Sequence, residues 1–302
     1  MSIKVCIITP ASHLNELSSY GDCDMALSHL LVEEDKFKHT NHIKENYAKY
    51  FINRKKLGRW VILDNSAYEI GKLEATQATG QGLGPDLVLK AAEIINPSIV
   101  IAQDVLCDRQ ATLESTKAFI KYVKDKGLLG KFQLMAVPQG RTKEEWLESY
   151  KELYFLPEIN QIGLSKISVP LSFGGTQAED GCVSKARLKC TQAIQELHQD
   201  IDWKWAYGDR QAKPVHLLGG DNWLPWELKQ QSKYSWIYSN DSSACIQYGI
   251  YGQKFDVETG QAKSIIVTKP DLENHLETTE ALLDANKNTI LHNIVVLTRC
   301  SK

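Results

Sequence analysis

The chain has no apolar run of membrane-spanning length, so no segment of it reads as a bilayer-crossing helix. It also lacks a charge imbalance: 35 Lys and Arg against 37 Asp and Glu give a formal net charge of −2 and a pI near 6.5. That balance counts against a protein that coats an extended polyanion, although a local basic face is compatible with it. The seven cysteines, at 6, 23, 107, 182, 190, 245 and 300, include no Cys-x-x-Cys pair, and no histidine stands at zinc-finger spacing from a cysteine pair. They read as reduced thiols, several of them in the core, of a metal-free intracellular protein. The first residues enter a strand directly and show no signal peptide. No GxGxxG or Walker sequence occurs, which argues against the usual nucleotide-binding versions of an α/β fold.

What is present is a globular composition. With 302 residues, 43% apolar and 24% charged, the chain can build one large domain or two ordinary ones around a full-sized core. Short β-branched or apolar runs alternate with helical patterns about seven or eight times, and no composition break marks a linker. The strands are expected at Ile3–Thr9, Val61–Asp64, Ile99–Asp104, Phe132–Val137, Ile159–Leu164, Val215–Leu218 and Tyr234–Ser239. Met25–Val32 is an eighth strand or a short helix. Helices are expected over His39–Lys56, Asp86–Ile95, Ala111–Lys126, from Thr142, and over Val183–Asp200; Thr142-x-x-Glu145 has the form of a capping box. Alternation of this kind predicts a parallel sheet with crossover helices. The count favours a (β/α)8 TIM-like barrel over an open doubly wound sheet. The barrel is expected over 1–253, with loop insertions at 71–86 and 172–182. A strand (Ser264–Val267), a helix (Leu272–Asn286) and an apolar run (Ile290–Leu297) would form a small C-terminal appendage over 254–302.

Three of the apolar runs deliver an aspartate where they stop: Val61-Ile-Leu-Asp64, Ile99-Val-Ile-Ala-Gln-Asp104 and Trp236-Ile-Tyr-Ser-Asn-Asp241. A strand-end Asp serves as the N-cap of the next helix or as a catalytic group. In a barrel the catalytic groups sit after the strands' C-terminal ends, which would bring Asp64, Asp104, Gln139, Gly163 and Asp241 to one mouth. Two carboxylates facing a reacting carbon suit glycosyl chemistry, one attacking the anomeric carbon and the other moving protons. A third carboxylate and an amide would hold a flat polar ligand. Tyr68 and Tyr248 stack on such a ring or pack the rim. Arg54-Lys-Lys-Leu-Gly-Arg59 and Lys185-Ala-Arg-Leu-Lys189 are phosphate contacts or solvated helix faces.

The order and wording of these motifs resemble the queuine-type tRNA-guanine transglycosylases, and more closely their compact relatives that insert 7-deazaguanines into DNA. The resemblance runs from about residue 60 to 249. It is carried by Asp64-Asn-Ser-Ala-Tyr-Glu69, Gln103-Asp-Val-Leu-Cys-Asp108, Val137-Pro-Gln-Gly140 followed by Glu145-Trp-Leu147, Ile162-Gly-Leu164, Leu217-Leu-Gly219 and Ser239-Asn-Asp-Ser-Ser243. The tRNA enzymes' C-terminal Cys-x-Cys…Cys…His zinc site has no counterpart after Asp241. The resemblance implies a transferase that exchanges guanine in DNA for a free 7-deazaguanine base such as preQ0 (7-cyano-7-deazaguanine), with no metal or other cofactor. Asp241 would be the nucleophile and Asp64 the general acid/base. Asp104, Gln139, Gly140, Gly163, Tyr68 and Gly219 would bind the base, which must be flipped out of a duplex or single-stranded. It further implies the cytoplasm of a bacterium or of a virus-infected host, allows for accessory proteins and involves no membrane. A tRNA-directed exchange and a retaining barrel glycosidase are the alternatives.

Overall fold

The computed structural model describes residues 2–32, 41–67, 83–175, 179–199, 212–263 and 284–302. Eight strands alternate with helices: β1 (Lys4–Ile7), β2 (Asp24–Leu27), β3 (Val61–Asp64), β4 (Ile99–Ile101), β5 (Gln133–Ala136), β6 (Ile159–Ser165), β7 (Val215–Leu218) and β8 (Ile237–Ser242). They pair in parallel in the order β1-β8-β7-β6-β5-β4-β3-β2, a nearly closed (β/α)8 barrel. The segment Met25–Val32 turns out to be both of the forms expected of it. Its first half completes β2, and a 3-10 turn follows over Ser28–Leu30.

Strands buried on both faces explain the near-continuous apolar runs. Val61 and Leu63 pack outward under the helices, whereas Ile62, Ile99, Ile101, Met135 and Val137 fill the barrel interior. With this alternation Asp64 is in phase with the inward-facing Ile62. Each helix is closed off locally. Asp108 accepts from the N–H of Ala111 to cap Arg109–Asp125, and left-handed Asn96 (φ 48°) ends Pro85–Ile95. The capping box is formed with a one-residue offset. Thr142 Oγ1 accepts from the Glu145 N–H at 3.2 Å, but the Glu145 carboxylate reaches back to the N–H of Arg141 at 2.9 Å.

The β1–β2 seam has no ladder; an isolated bridge joins Cys6 and Cys23, Asp22 and Cys23 donate to the Val5 carbonyl, and the Val5 N–H donates to the Asp22 carboxylate. The same two cysteines form a disulfide, Cα to Cα 4.8 Å apart. This corrects the expectation that all the thiols are reduced. Barrel closure, rather than spacing in sequence, brings the pair together. The insertion expected over 172–182 begins with helix: Ser168–Phe173 is helical, and a second helix starts at Cys182.

Beyond residue 253 the chain lies against the barrel. The apolar run Ile290–Leu297 lies in a helix, Lys287–Cys300, whose buried side (Ile290, Ile294, Val296 and Leu297) packs on the helices Leu224–Gln231 and Ala244–Ile250, while Val295 is exposed. Asn293 Oδ1 accepts from the Phe255 N–H, and the Ser301 carbonyl accepts from the Ile3 N–H at the entrance to β1. The strand expected over 264–267, all but the end of the helix expected over 272–286, and loop positions 71–82 lie outside the described residues. Among the described residues no helix is long and apolar enough to cross a membrane.

Candidate active site at the strand ends

Two polar clusters occupy the C-terminal ends of the strands. The first is built on Asp104, three residues past β4 and 5% exposed. Asn65 Nδ2 donates to its Oδ1 at 2.8 Å, and Gln139 Nε2 donates to its Oδ2 at 2.7 Å. Each amide is itself held. Asn65 also donates to the Ala102 carbonyl and accepts from the Ala67 N–H, and Gln139 Oε1 accepts from the Cys107 N–H at 3.0 Å. Two non-glycine residues adopt left-handed backbone at these turns, Ser66 and Cys107, both at φ 61°. Such conformations are sparsely populated and collect where a neighbouring side chain must be aimed. Burial pushes the Asp104 carboxyl up to about 6, against the opposing pull of the two amides. Each oxygen accepts one bond, so each keeps a lone pair for an N–H group.

The second cluster surrounds Asp241, on β8. His216 Nε2 lies 2.9 Å from its Oδ1, and the Gly219 N–H donates to the same oxygen at 3.1 Å. On the other side of the ring, Nδ1 stands 2.7 Å from Ser239 Oγ, which also accepts from Gln161 Nε2 at 3.4 Å. With Nε2 donating to the carboxylate, a neutral ring takes the Ser239 hydroxyl hydrogen at Nδ1, which fixes the tautomer. The trio is not a hydrolytic triad, because Ser239 is fully buried below the carboxylate. Among the described residues nothing bonds to Oδ2 of Asp241.

Asp64 closes β3, opposite Leu27 of β2, with its carbonyl accepting from Ser28 Oγ. Its side chain is partly exposed at the mouth. The barrel thus presents Asp64, Asp104 and Asp241 at one end, as expected, but assigns the glycines and Gln139 to support. Gly140 is consumed by Ser168 and Ser172, which bond its N–H and carbonyl, and a Cβ there would meet Trp146 N at 2.6 Å. Gly163 lies within β6, where its missing side chain admits Leu218 and Val137 to the interior. Gly219 (φ +68°) turns its N–H onto Asp241. Tyr68 lies outside the described residues, as do Trp203 and Trp205. Tyr248 packs on Phe255 with ring centres 5.8 Å apart, and burial pushes its hydroxyl up to about 12.

The basic clusters divide. Arg54 and Arg59 pair with Asp24 at 3.0 and 3.2 Å, and Lys55 Nζ donates to Ser98 Oγ. Asp24 opens β2 and Ser98 precedes β4, so this cluster braces the end of the barrel opposite the mouth. Arg187 is fully buried against Glu227, and Lys185 lies over the Trp223 ring at 4.4 Å. Sequence reasoning missed Asn65, His216, Ser239 and Arg187. Asn65 had a signal of its own, as a turn-forming amide directly after a strand-end acid. The other three take their meaning from partners on neighbouring elements.

Among the described residues no group of three or more His, Cys, Asp or Glu side chains is placed to hold a metal. No protein-family model matches the chain, and no curated protein matches it.

Proposed function

We propose that the barrel exchanges a purine base on a nucleic acid, guanine leaving and a 7-deazaguanine entering, through a glycosyl ester on Asp241. The observation that carries this reading is the asymmetry at Asp241: two N–H groups hold Oδ1, while among the described residues nothing bonds to Oδ2. The order of the strand-end motifs supports it as well.

In the first half-reaction Oδ2 attacks C1′ from the face opposite the base. The C1′–N bond breaks, its electron pair leaves with guanine, and Asp64 supplies the proton that the departing base takes up. Oδ1 becomes the ester carbonyl. In the second half Asp64 removes a proton from the incoming base, whose nitrogen attacks C1′ as the bond to Oδ2 breaks. The His216 and Gly219 N–H groups then meet a carboxylate again, and hydrogen bonds to a charged oxygen exceed those to an ester carbonyl. They therefore make Asp241 a good leaving group at the step that needs one. Two inversions give net retention. Asp104 accepts the adjacent N1–H and exocyclic N–H of either purine on its two remaining lone pairs, while Asn65 and Gln139 keep the carboxylate planar to that edge.

DNA is the substrate this reading favours, on the Asp64-Asn-Ser-Ala-Tyr wording. The test is incubation with guanine-labelled DNA or tRNA plus 7-cyano-7-deazaguanine, followed by label counting and mass spectrometry of the nucleosides. Label release from DNA with the deazaguanine nucleoside formed is the expected result. Release from tRNA alone would move the substrate to RNA, and release from neither would overturn the reading.

A further inference from the structure

Arg187 is a fully buried cation that reaches the Asp241 cluster through backbone carbonyls rather than through the carboxylate itself. Its guanidinium holds three acceptors. Nη1 donates to the Leu218 carbonyl at 3.0 Å, and Nη2 donates to the Gly219 carbonyl at 3.0 Å and to Glu227 Oε2 at 2.7 Å. The Leu218 carbonyl and the Gly219 N–H belong to one peptide group. In a trans peptide these two point in opposite directions. The guanidinium therefore grips one end of the same planar unit whose other end donates to Asp241 Oδ1 at 3.1 Å. A charge-assisted bond at the carbonyl polarises the unit and strengthens the N–H as a donor.

The rest of the turn is arranged around this peptide. Gly219 has φ +68°, a conformation that a side-chain-bearing residue would strain, and a Cβ there would also strike Lys166 Cδ at 2.5 Å. Asn240 Nδ2 takes the Gly219 carbonyl from the β8 side at 3.0 Å, next to Asp241 itself. Glu227, also fully buried, balances the guanidinium charge and fixes its plane.

We infer that Arg187, seated on Glu227, is a positioning residue that holds the Leu218–Gly219 peptide so that its N–H pins Oδ1 of Asp241 and leaves Oδ2 to react. The pinning stands on this geometry alone; its catalytic consequence rests on the base-exchange reading.

The test reads the peptide itself. Labelling leucine carbonyls with carbon-13 and glycine nitrogens with nitrogen-15 selects only the Leu–Gly peptides at 57–58, 83–84, 129–130 and 218–219. Gly219 is assigned by its shift in Asp241→Ala. A single substitution at Arg187 strands a buried carboxylate and can cost the fold, so the main variant is the apolar pair Arg187→Met with Glu227→Leu. The Gly219 amide proton is expected to move upfield towards its Asp241→Ala position while the other three signals stay in place. Arg187→Lys, which keeps the charge but not the fork, should move it part of the way. Should neither variant fold, a coupling through the hydrogen bond between Gly219 nitrogen and the Asp241 side-chain carboxyl carbon is sought in the unaltered protein. An unmoved Gly219 signal in a folded variant, or no such coupling in the parent, overturns the inference. In the exchange assay the folded variant should pass the trapped glycosyl group from Asp241 to the free base roughly five- to tenfold more slowly, with KM for the free base unchanged. A moved Gly219 signal with no exchange in the parent protein would leave the pinning standing and remove the base-exchange reading instead.

Discussion

Nε2 of His216 stands 2.9 Å from Oδ1 of Asp241 because β8 carries one more residue than β7 between their paired positions. Val215 pairs with Ile237, but His216 pairs with Ser239, so Tyr238 is the extra residue. A one-residue slip moves every later side chain to the other face of the strand. The bulge thus turns Ser239 and Asp241 inward together, towards the face that His216 occupies.

Removing that imidazole should be costly and specific. A hydrogen bond to a charged group contributes about 1.5–3 kcal/mol, so His216→Phe should slow transfer of the trapped glycosyl group from Asp241 to the incoming base by roughly 10–150-fold. His216→Gln retains an N–H donor and should recover most of the rate. A single-turnover chase of the trapped protein–DNA adduct with free base measures both.

The two carboxylates of the chemistry separate by severity. Asp241→Asn should abolish both exchange and adduct, and turnover in that variant would end its assignment as nucleophile. Asp64→Asn should form adduct about 10²–10⁴-fold more slowly without losing it altogether, the usual range for general acid–base catalysis. A stopped assay with labelled guanine distinguishes the two outcomes.

Asp104 should make base binding depend on pH. With its carboxyl raised to about 6, protonation removes an acceptor, so affinity for the free base should fall roughly tenfold per pH unit below 6. The folding contribution has the opposite sense. A carboxyl raised from 3.8 to about 6 binds its proton more tightly in the folded state. The stability it contributes is therefore fully present below 3.8 and lost as pH rises through 6, on the order of 3 kcal/mol. Calorimetric titration with the base and urea midpoints across that window test both signs.

The basic cluster beneath the barrel should behave as structure. Arg54→Glu breaks a pair with the buried Asp24 and should lower the urea midpoint, while the salt slope of DNA binding stays as in the parent. A flattened slope would return the cluster to the DNA-binding surface.

The disulfide offers a separate check. Linking Cys6 to Cys23, 17 positions apart, should stabilise the fold by about 3 kcal/mol on loop closure. Urea titrations of Cys6→Ser, and of the parent protein unfolded in dithiol reductant, should agree on that loss.

Much of this molecule was legible from its strands, because buried parallel strands leave continuous apolar runs and the acids that end them stand out. Asp64, Asp104 and Asp241 were visible for that reason. His216 was not, because one histidine inside Val-His-Leu-Leu looks like core, and its role depends on a bulge that leaves no mark in the sequence. Gln139 was expected to contact a ligand, and its bond to Asp104 had no mark in the sequence. Its amide faces Asp104 because the turn at Cys107 offers an N–H to its oxygen. Gly140 and Gly163 were read as contacts for a ligand, and the close packing of Trp146 and Leu218 on them, which also requires glycine, is set by elements distant in sequence. The cysteine pair escaped notice because closure of the barrel is a property of all eight strands together.

The strand order has a consequence for the making of the protein. β1 pairs with β8 and has no ladder to β2, and the residue before β1 is tied to Ser301. During synthesis, therefore, β1 waits for its ladder until β8 has emerged, more than two hundred residues later. Contacts of such long sequence separation form slowly and leave an unpaired strand edge exposed meanwhile. The β1 edge should therefore stay open to pairing with other chains until β8 has been made.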